Sequence, residues 1–203
     1  MTVGTKAVVL AAGAGTRLRP LTLHLPKALA PVGGRPLLDW ALERVSGYAG
    51  ATAVNIHHHA QALIGYLGRH HPGVHRSVEM PVPLGTAGAL GRLRDWIGGD
   101  AVLVTNADSW YPCDQVGPVL ERFVAGWDGE RPRLLCVPAD GPADFGDLRY
   151  TGTALLPWWS VAGLAPSPAG LYEASWAPLH GQGRLDLVVE PGLTAIDCGT
   201  AED

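Results

Sequence analysis

Ala7-Val8-Val9-Leu10-Ala11-Ala12-Gly13-Ala14-Gly15-Thr16-Arg17-Leu18-Arg19-Pro20 is the stretch that decides the fold. Its first four residues form a short continuous apolar run, which predicts a central strand buried on both faces. A Gly-rich segment follows at once, and a polar, proline-marked loop then runs to Pro36. In open α/β sheets, ligands bind beyond the carboxyl ends of the strands. Gly13 and Gly15 let the backbone approach a phosphate without a Cβ in the way. N–H groups exposed there can bond phosphate oxygens, and Arg17 adds a planar donor fork suited to the same group. A bare strand-to-loop turn would use the same glycine pair. Two familiar loops are excluded. No lysine follows to complete a Walker A motif, and Leu18 stands where a dinucleotide fingerprint needs its third glycine.

Outward from this stretch, apolar runs alternate with segments of helical period, as a doubly wound α/β sheet requires. Helical spacing predicts helices over Leu37–Val45, with Gly47 as the stop, and over His58–Leu67, Thr86–Trp96, Val116–Val124 and Leu171–Leu179. Strands are expected at Ala51–Ile56, Val74–Met80, Ala101–Thr105, Arg133–Val137, Ala154–Leu156, Leu185–Val189 and Thr194–Ile196. No internal repeat or low-complexity tract interrupts them. The chain reads as one domain over 1–203, with a core over 1–137 and an appended part over 138–203.

The 203 residues are 47% hydrophobic and 17% charged, ordinary for a globular domain, and the net charge is −4. That balance gives no reason to expect nucleic acid or an anionic membrane as partner. There is no apolar signal-peptide core at the start and no stretch near the roughly 20 apolar residues of a membrane span. Cys113, Cys136 and Cys198 are odd in number and lack a CxxC, so they read as free, buried thiols in a reducing compartment, placing the chain in the cytoplasm. Only Lys6 and Lys27 are lysines, so any step that needs a lysine has two candidates.

Ten residues after Arg17 come Pro26-Lys27-Ala28-Leu29 and then Pro31-Val32-Gly33-Gly34-Arg35-Pro36-Leu37-Leu38. The whole run Leu10–Leu38 resembles the signature LAAGxGTRLxPLTxxxPKxLxPVxxxPLL of the sugar-1-phosphate nucleotidylyltransferases. The resemblance implies a Rossmann-like three-layer α/β/α fold with a mostly parallel mixed sheet. It also implies an Mg²⁺-dependent reaction of an NTP with a sugar 1-phosphate, giving a nucleotide-sugar and pyrophosphate. It assigns the NTP phosphates to Ala11, Ala12, Gly13, Gly15, Thr16 and Arg17, and the α-phosphate and substrate phosphate to Lys27. A solvated surface lysine is the alternative for Lys27.

Asn106-Ala107-Asp108 ends an apolar strand at the same sheet edge. A carboxylate there can hold Mg²⁺, which takes a few protein oxygens and completes its octahedron with phosphates and water. A turn-capping aspartate is the competing reading. The triplet resembles the family's Asn-Gly-Asp, which makes Asp108 a metal ligand and Asn106 a nucleotide contact. Ala195-Ile196-Asp197-Cys198-Gly199-Thr200 resembles W-x-D-x-G-T, with Ala195 replacing the Trp, and makes Asp197 the second ligand. Pro83–Leu90 resembles the family's PLGTAGxL loop. Gly85 and Thr86 would then face the nucleobase, with Glu79 a base or ribose contact, and GTP or UTP is favoured. The small single-domain length resembles that of N-acetylmuramate 1-phosphate uridylyltransferases, and Asp144 and Gly152 match the sugar-contacting segment of the smaller members. The substitutions Ala107 and Ala195 leave open a non-catalytic nucleotide-sugar sensor, and choline phosphate stays open as an acceptor. The chain stops three residues after Thr200, where family members continue into a helix. His57-His58-His59 reads as a solvated helix start rather than a metal site, and Trp158-Trp159 as core or interface.

Overall fold

A computed structural model describes residues 4–200 and 202. The first strand, β1 (Thr5–Leu10), carries Ala7, Val8 and Val9 with no solvent exposure, as an apolar run between parallel neighbours must. A hairpin of β2 (Pro31–Val32) and β3 (Arg35–Pro36) leads into α1 (Leu37–Ser46), which Gly47 terminates. The chain continues through β4 (Ala51–Ile56), α2 (Ala60–His70), β5 (His75–Val78), α3 (Gly85–Ile97), β6 (Ala101–Asn106), β7 (Ser109–Trp110), α4 (Cys113–Ala125) and β8 (Arg133–Pro138). It closes with β9 (Leu148–Leu156), α5 (Trp158–Val161), a π-helical turn Tyr172–Trp176, α6 (Ala177–Gly181), β10 (Asp186–Val189) and β11 (Ile196–Asp197).

Seven strands form one sheet in the order β10-β8-β9-β6-β1-β4-β5, so strands from 1–137 and from 138–203 share it. All pairings are parallel except those of β9, which runs antiparallel between β6 and β8. Helices α1, α2 and α4 bury Leu38, Leu63, Leu120 and Phe123 on one face. On the other, α3 and α5 bury Leu90, Leu93 and Val161. The result is the expected three-layer α/β/α arrangement. Lys6 reaches from β1 to the end of α3, where Nζ donates to the carbonyls of Trp96 and Ile97 (3.0 Å for Ile97). A cation there suits the negative end of a helix.

The structure revises several expectations. The strand expected at Ala154–Leu156 begins already at Leu148, and Leu171–Leu179 splits into a π turn and a short α-helix. The α4 helix starts at Cys113, which leaves that thiol exposed while Cys136 and Cys198 are buried. The histidine run sits before α2, with His59 at φ 49 donating through Nε2 to Thr22 O and His57 Nδ1 bonded to Glu79 O. Trp158 packs on the core, whereas Trp159 is exposed. Among the described residues, no helix is long and apolar enough to cross a membrane.

Candidate active site

The Gly-rich loop leaves β1 at the carboxyl edge of the sheet. Gly15 sits at φ 60, and a Cβ there would lie 2.8 Å from Thr22 Cγ2 and 2.9 Å from Lys27 Cβ. Only glycine fits without displacing the lysine behind it. Thr22 Oγ1 donates to Gly15 O at 2.6 Å, and Leu18 N to the same carbonyl at 3.0 Å, closing the turn Thr16–Leu18. The Ala11 N–H donates to Asn55 Oδ1 at 2.6 Å. A cavity of about 230 Å³ opens here between Ala12, Gly13, Asn55, Gly85, Thr86 and Asn106. It reaches Asp108, so the glycine loop and the loop at Gly85 and Thr86 line one cavity.

Lys27 is 8% exposed and therefore not a surface lysine. Its Nζ donates to Asp108 Oδ2 and lies 3.8 Å from Asp197 Oδ1. Arg17 Nη2 lies 3.7 Å from the other oxygen of Asp197. Two pieces of local structure bring the carboxylates together. The β11 strand pairs antiparallel with β7, placing Asp197 opposite Ser109, and Cys198 N donates to Asp108 O at 2.9 Å. Both carboxylates converge on one ammonium, so their oxygens share a locus that a small divalent cation could occupy. Among the described residues no group of three acidic, His or Cys side chains forms there. Two protein carboxylates suffice for Mg²⁺ when substrate phosphates and water complete its octahedron, and the residues fit that ion.

On the far side of Asp108 a second cavity of about 310 Å³ is lined by Asn106, Asp144, Arg149, Gly152 and Asp197. Gly152 has φ 96, and a Cβ would stand 2.1 Å from Ser109 Oγ and 3.2 Å from Asn106 Nδ2. Asp144 Oδ2 accepts the Tyr150 N–H at 2.7 Å. Arg149, whose Nη2 donates to Ala195 O at 2.8 Å, is the cation of this cavity and was missed from the sequence. Its signal was indirect: no lysine follows Lys27, so arginine carries the strongly basic charge in the rest of the chain.

Glu79 requires a correction. It has no exposure, and its carboxylate accepts from Asn55 Nδ2 at 2.8 Å and Leu84 N at 2.7 Å. Both oxygens are engaged inside the protein, so Glu79 braces the two loops instead of facing a base or ribose. Thr86 is partly engaged as well, its Oγ1 accepting from Leu171 N at 2.7 Å. Arg44 is a further residue the sequence concealed. Its buried guanidinium donates to Thr105 Oγ1 at 2.6 Å and to Ser109 O, and it lies 4.2 Å from the Tyr111 ring. Burial pushes its pKa below the ordinary value, with Tyr111, Tyr150 and Asp108 opposing. It holds the backbone directly after Asp108. A cavity of about 530 Å³ between α1 and α4 lies on the other side of Arg44, away from the glycine loop.

Comparison with known proteins bears on this geometry. A family model described as nucleotidyl transferase matches residues 6–147. N-acetylmuramate alpha-1-phosphate uridylyltransferase of Caulobacter vibrioides is 33% identical over 171 residues, which cover 79% of this chain and 70% of that one. Mannose-1-phosphate guanyltransferase of Aspergillus oryzae is 32% identical over 148 residues, 70% of this chain and 40% of the relative. The chain thus spans well under half the length of that relative. A Bacillus anthracis protein solved in complex with a sucrose superposes with TM-score 0.80 at 23% identity, covering 98% and 92% of the two chains. HddC from Yersinia pseudotuberculosis gives 0.74 at 21% identity over 97% and 95%. At such identities these two structures speak for the fold.

Proposed function

Since the chain belongs to the nucleotidyl transferase family, we propose that it joins an NTP, with GTP or UTP favoured, to a sugar 1-phosphate and releases pyrophosphate. The relatives named for uridylyl and guanylyl transfer support this reading. The observation that carries it is the meeting of Lys27 with both Asp108 and Asp197 at the mouth of the glycine loop.

A sugar 1-phosphate has a second pKa of about 6 and is mostly a dianion at pH 7. No general base is needed to make the nucleophile. One of its oxygens forms a bond to the α-phosphorus of the NTP, the bond from that phosphorus to the bridging oxygen of the β-phosphate breaks, and pyrophosphate leaves with the electron pair. The work of the protein is to hold two polyanions in line and stabilise the charge that accumulates. Backbone N–H groups around Gly13 and Gly15 with Arg17 hold the triphosphate. Lys27 neutralises charge at the reacting phosphorus, and Arg149 takes the acceptor phosphate. Mg²⁺, held by Asp108 and Asp197, would supply charge neutralisation to the phosphates. Asp144 and Gly152 border the sugar.

The test is pyrophosphate release from a matrix of ATP, CTP, GTP, UTP and dTTP against several sugar 1-phosphates, with Mg²⁺ present. One or a few pairs should react strongly. Silence across the whole matrix, in protein that is folded, would overturn the reading.

A further inference from the structure

Thr22 stands directly behind the glycine loop and is buried, whereas its neighbours Leu21 and Leu23 are 45% and 51% exposed. The segment is therefore not held down by its apolar side chains. Thr22 holds it instead. Its Oγ1 donates to Gly15 O at 2.6 Å, and its Cγ2 would lie 2.8 Å from a Cβ at Gly15. In a trans peptide the N–H points opposite to the carbonyl. Tying Gly15 O to Thr22 thus turns the Thr16 N–H away from Thr22, and this N–H is one of those proposed above to hold the triphosphate.

Thr22 is in turn held from outside its own loop. His59 Nε2 bonds Thr22 O at 3.0 Å, and since a carbonyl only accepts, Nε2 carries the proton. The bonds from Arg19 N, Leu23 N and His24 N close turns within residues 16–24 and anchor nothing beyond them. His59 makes its bond at a local cost. It occupies the N-cap of α2, where Ser, Thr, Asp or Asn would bond the first turn, yet its side chain makes no cap bond. It adopts φ 49 and ψ 41, and among the described residues it is the only non-glycine at positive φ. Such a conformation persists where the surrounding structure demands it.

Alternate residues of the same strand-to-helix junction act alike. Asn55 bonds Ala11 N and Glu79, and His57 Nδ1 donates to Glu79 O at 2.9 Å. Two members of the histidine run therefore brace segments beside the nucleotide cavity, which a solvated helix start would not do. We propose that His59 is a positioning residue for the triphosphate, acting through Thr22 to fix the Gly15–Thr16 peptide. The proposal rests on the function proposed above and deepens its nucleotide site.

The experiment measures kcat and the KM of each substrate for His59→Gly, His59→Gln and His58→Gln, using the most active pair from the matrix. The His59 ring lies at the surface, so its replacement spares the core, and melting temperatures confirm the fold. Glycine accepts the positive φ without strain and removes the donor. In His59→Gly the KM of the NTP should rise roughly 3- to 10-fold, the scale of one net hydrogen bond. The acceptor KM and kcat should stay within about twofold, as loss of ground-state binding to one substrate requires. Glutamine keeps an N–H near the place of Nε2 and should recover most of the loss. His58→Gln alters the neighbouring imidazole and should leave all three constants unchanged. An unchanged KM for the NTP in folded His59→Gly would overturn the proposal. So would an equal rise in His59→Gln or in His58→Gln, or a rise in acceptor KM as large as that for the NTP. If no pair yields pyrophosphate, the failure belongs to the broader reading. Calorimetric titration with GTP and UTP in the presence of Mg²⁺ then decides the narrower one. Weaker binding by His59→Gly, recovered in His59→Gln, upholds it; equal affinity, or no binding by the parent, refutes it.

Discussion

Replacing Lys27 by methionine removes one positive charge while keeping a side chain of similar length in an almost closed position. In the folded protein the ammonium donates to Asp108 and lies 3.8 Å from Asp197 Oδ1. A divalent ion bound by those carboxylates at about 2.1 Å would stand roughly 4–5 Å from Nζ. Charges of +2 and +1 at that separation repel by about 2 kcal/mol in a water-like dielectric. The Asp197 side chain is 57% exposed but that of Lys27 only 10%, so the water-like dielectric gives the lower end of the repulsion. Physiological salt reduces the repulsion to about 1 kcal/mol. The variant should therefore bind a divalent cation roughly 5- to 30-fold more tightly than the parent without nucleotide. Pyrophosphate release should fall by orders of magnitude in the same protein. The two quantities move in opposite directions, which a lysine with a purely structural role would not produce. Calorimetric or paramagnetic titration with Mn²⁺ measures the first, and a coupled phosphate assay the second. Unchanged or weaker cation affinity in a folded variant would refute the shared locus of Lys27 and the ion.

Asp108→Asn should likewise cut turnover by orders of magnitude at nearly unchanged melting temperature, and stripping divalent cations with EDTA should do so reversibly; activity that persists in either case removes Asp108 as a ligand. Gly152→Ala places a Cβ against Ser109 at a φ of 96. The backbone conformation alone costs about 1–3 kcal/mol, so thermal denaturation should shift down by roughly 5–10 °C once the clash is added. A shift within 1 or 2 °C, about half a kcal/mol or less, would show that the Ser109 region yields easily. Thiol labelling at pH 8 should modify the exposed Cys113 quickly and spare Cys136, whose thiol burial pushes up to about 12. Peptide mapping that finds Cys136 labelled at a comparable rate would show that its strand opens.

Local signals carried the reading furthest. Ala7–Leu10 with its glycines reads directly as strand and loop, whereas Lys27, Asp108 and Asp197 were picked out by resemblance to short family motifs; these three do meet. Pairings across long separations left no such trace. Nothing local says that Leu148–Leu156 inserts antiparallel between two strands that precede it, and its outer half, Leu148–Gly152, has neither the apolar run nor a clean alternation. Arg44 was hidden because a charged residue on an amphipathic helix normally faces water, yet it falls on the same face as Ala41 and Val45. The π turn has no periodic signature of its own and reads as part of an ordinary helix. Glu79 was misassigned for a related reason: an acidic residue near a ligand loop suggests contact, and only burial distinguishes a brace from a contact.

The chain of bonds from Ala11 through Asn55 and Glu79 to Leu84 has a consequence for how such a protein can change. The glycine loop and the Pro83–Leu90 loop, proposed to hold the triphosphate and the base, hang on this shared strut, so a substitution that reshapes one should displace the other. Altered base preference should therefore come from residues beyond this strut, on the cavity edge at Pro83, Gly85 and Thr86, and attempts to retune it through Asn55 or Glu79 should weaken the hold on every nucleotide alike.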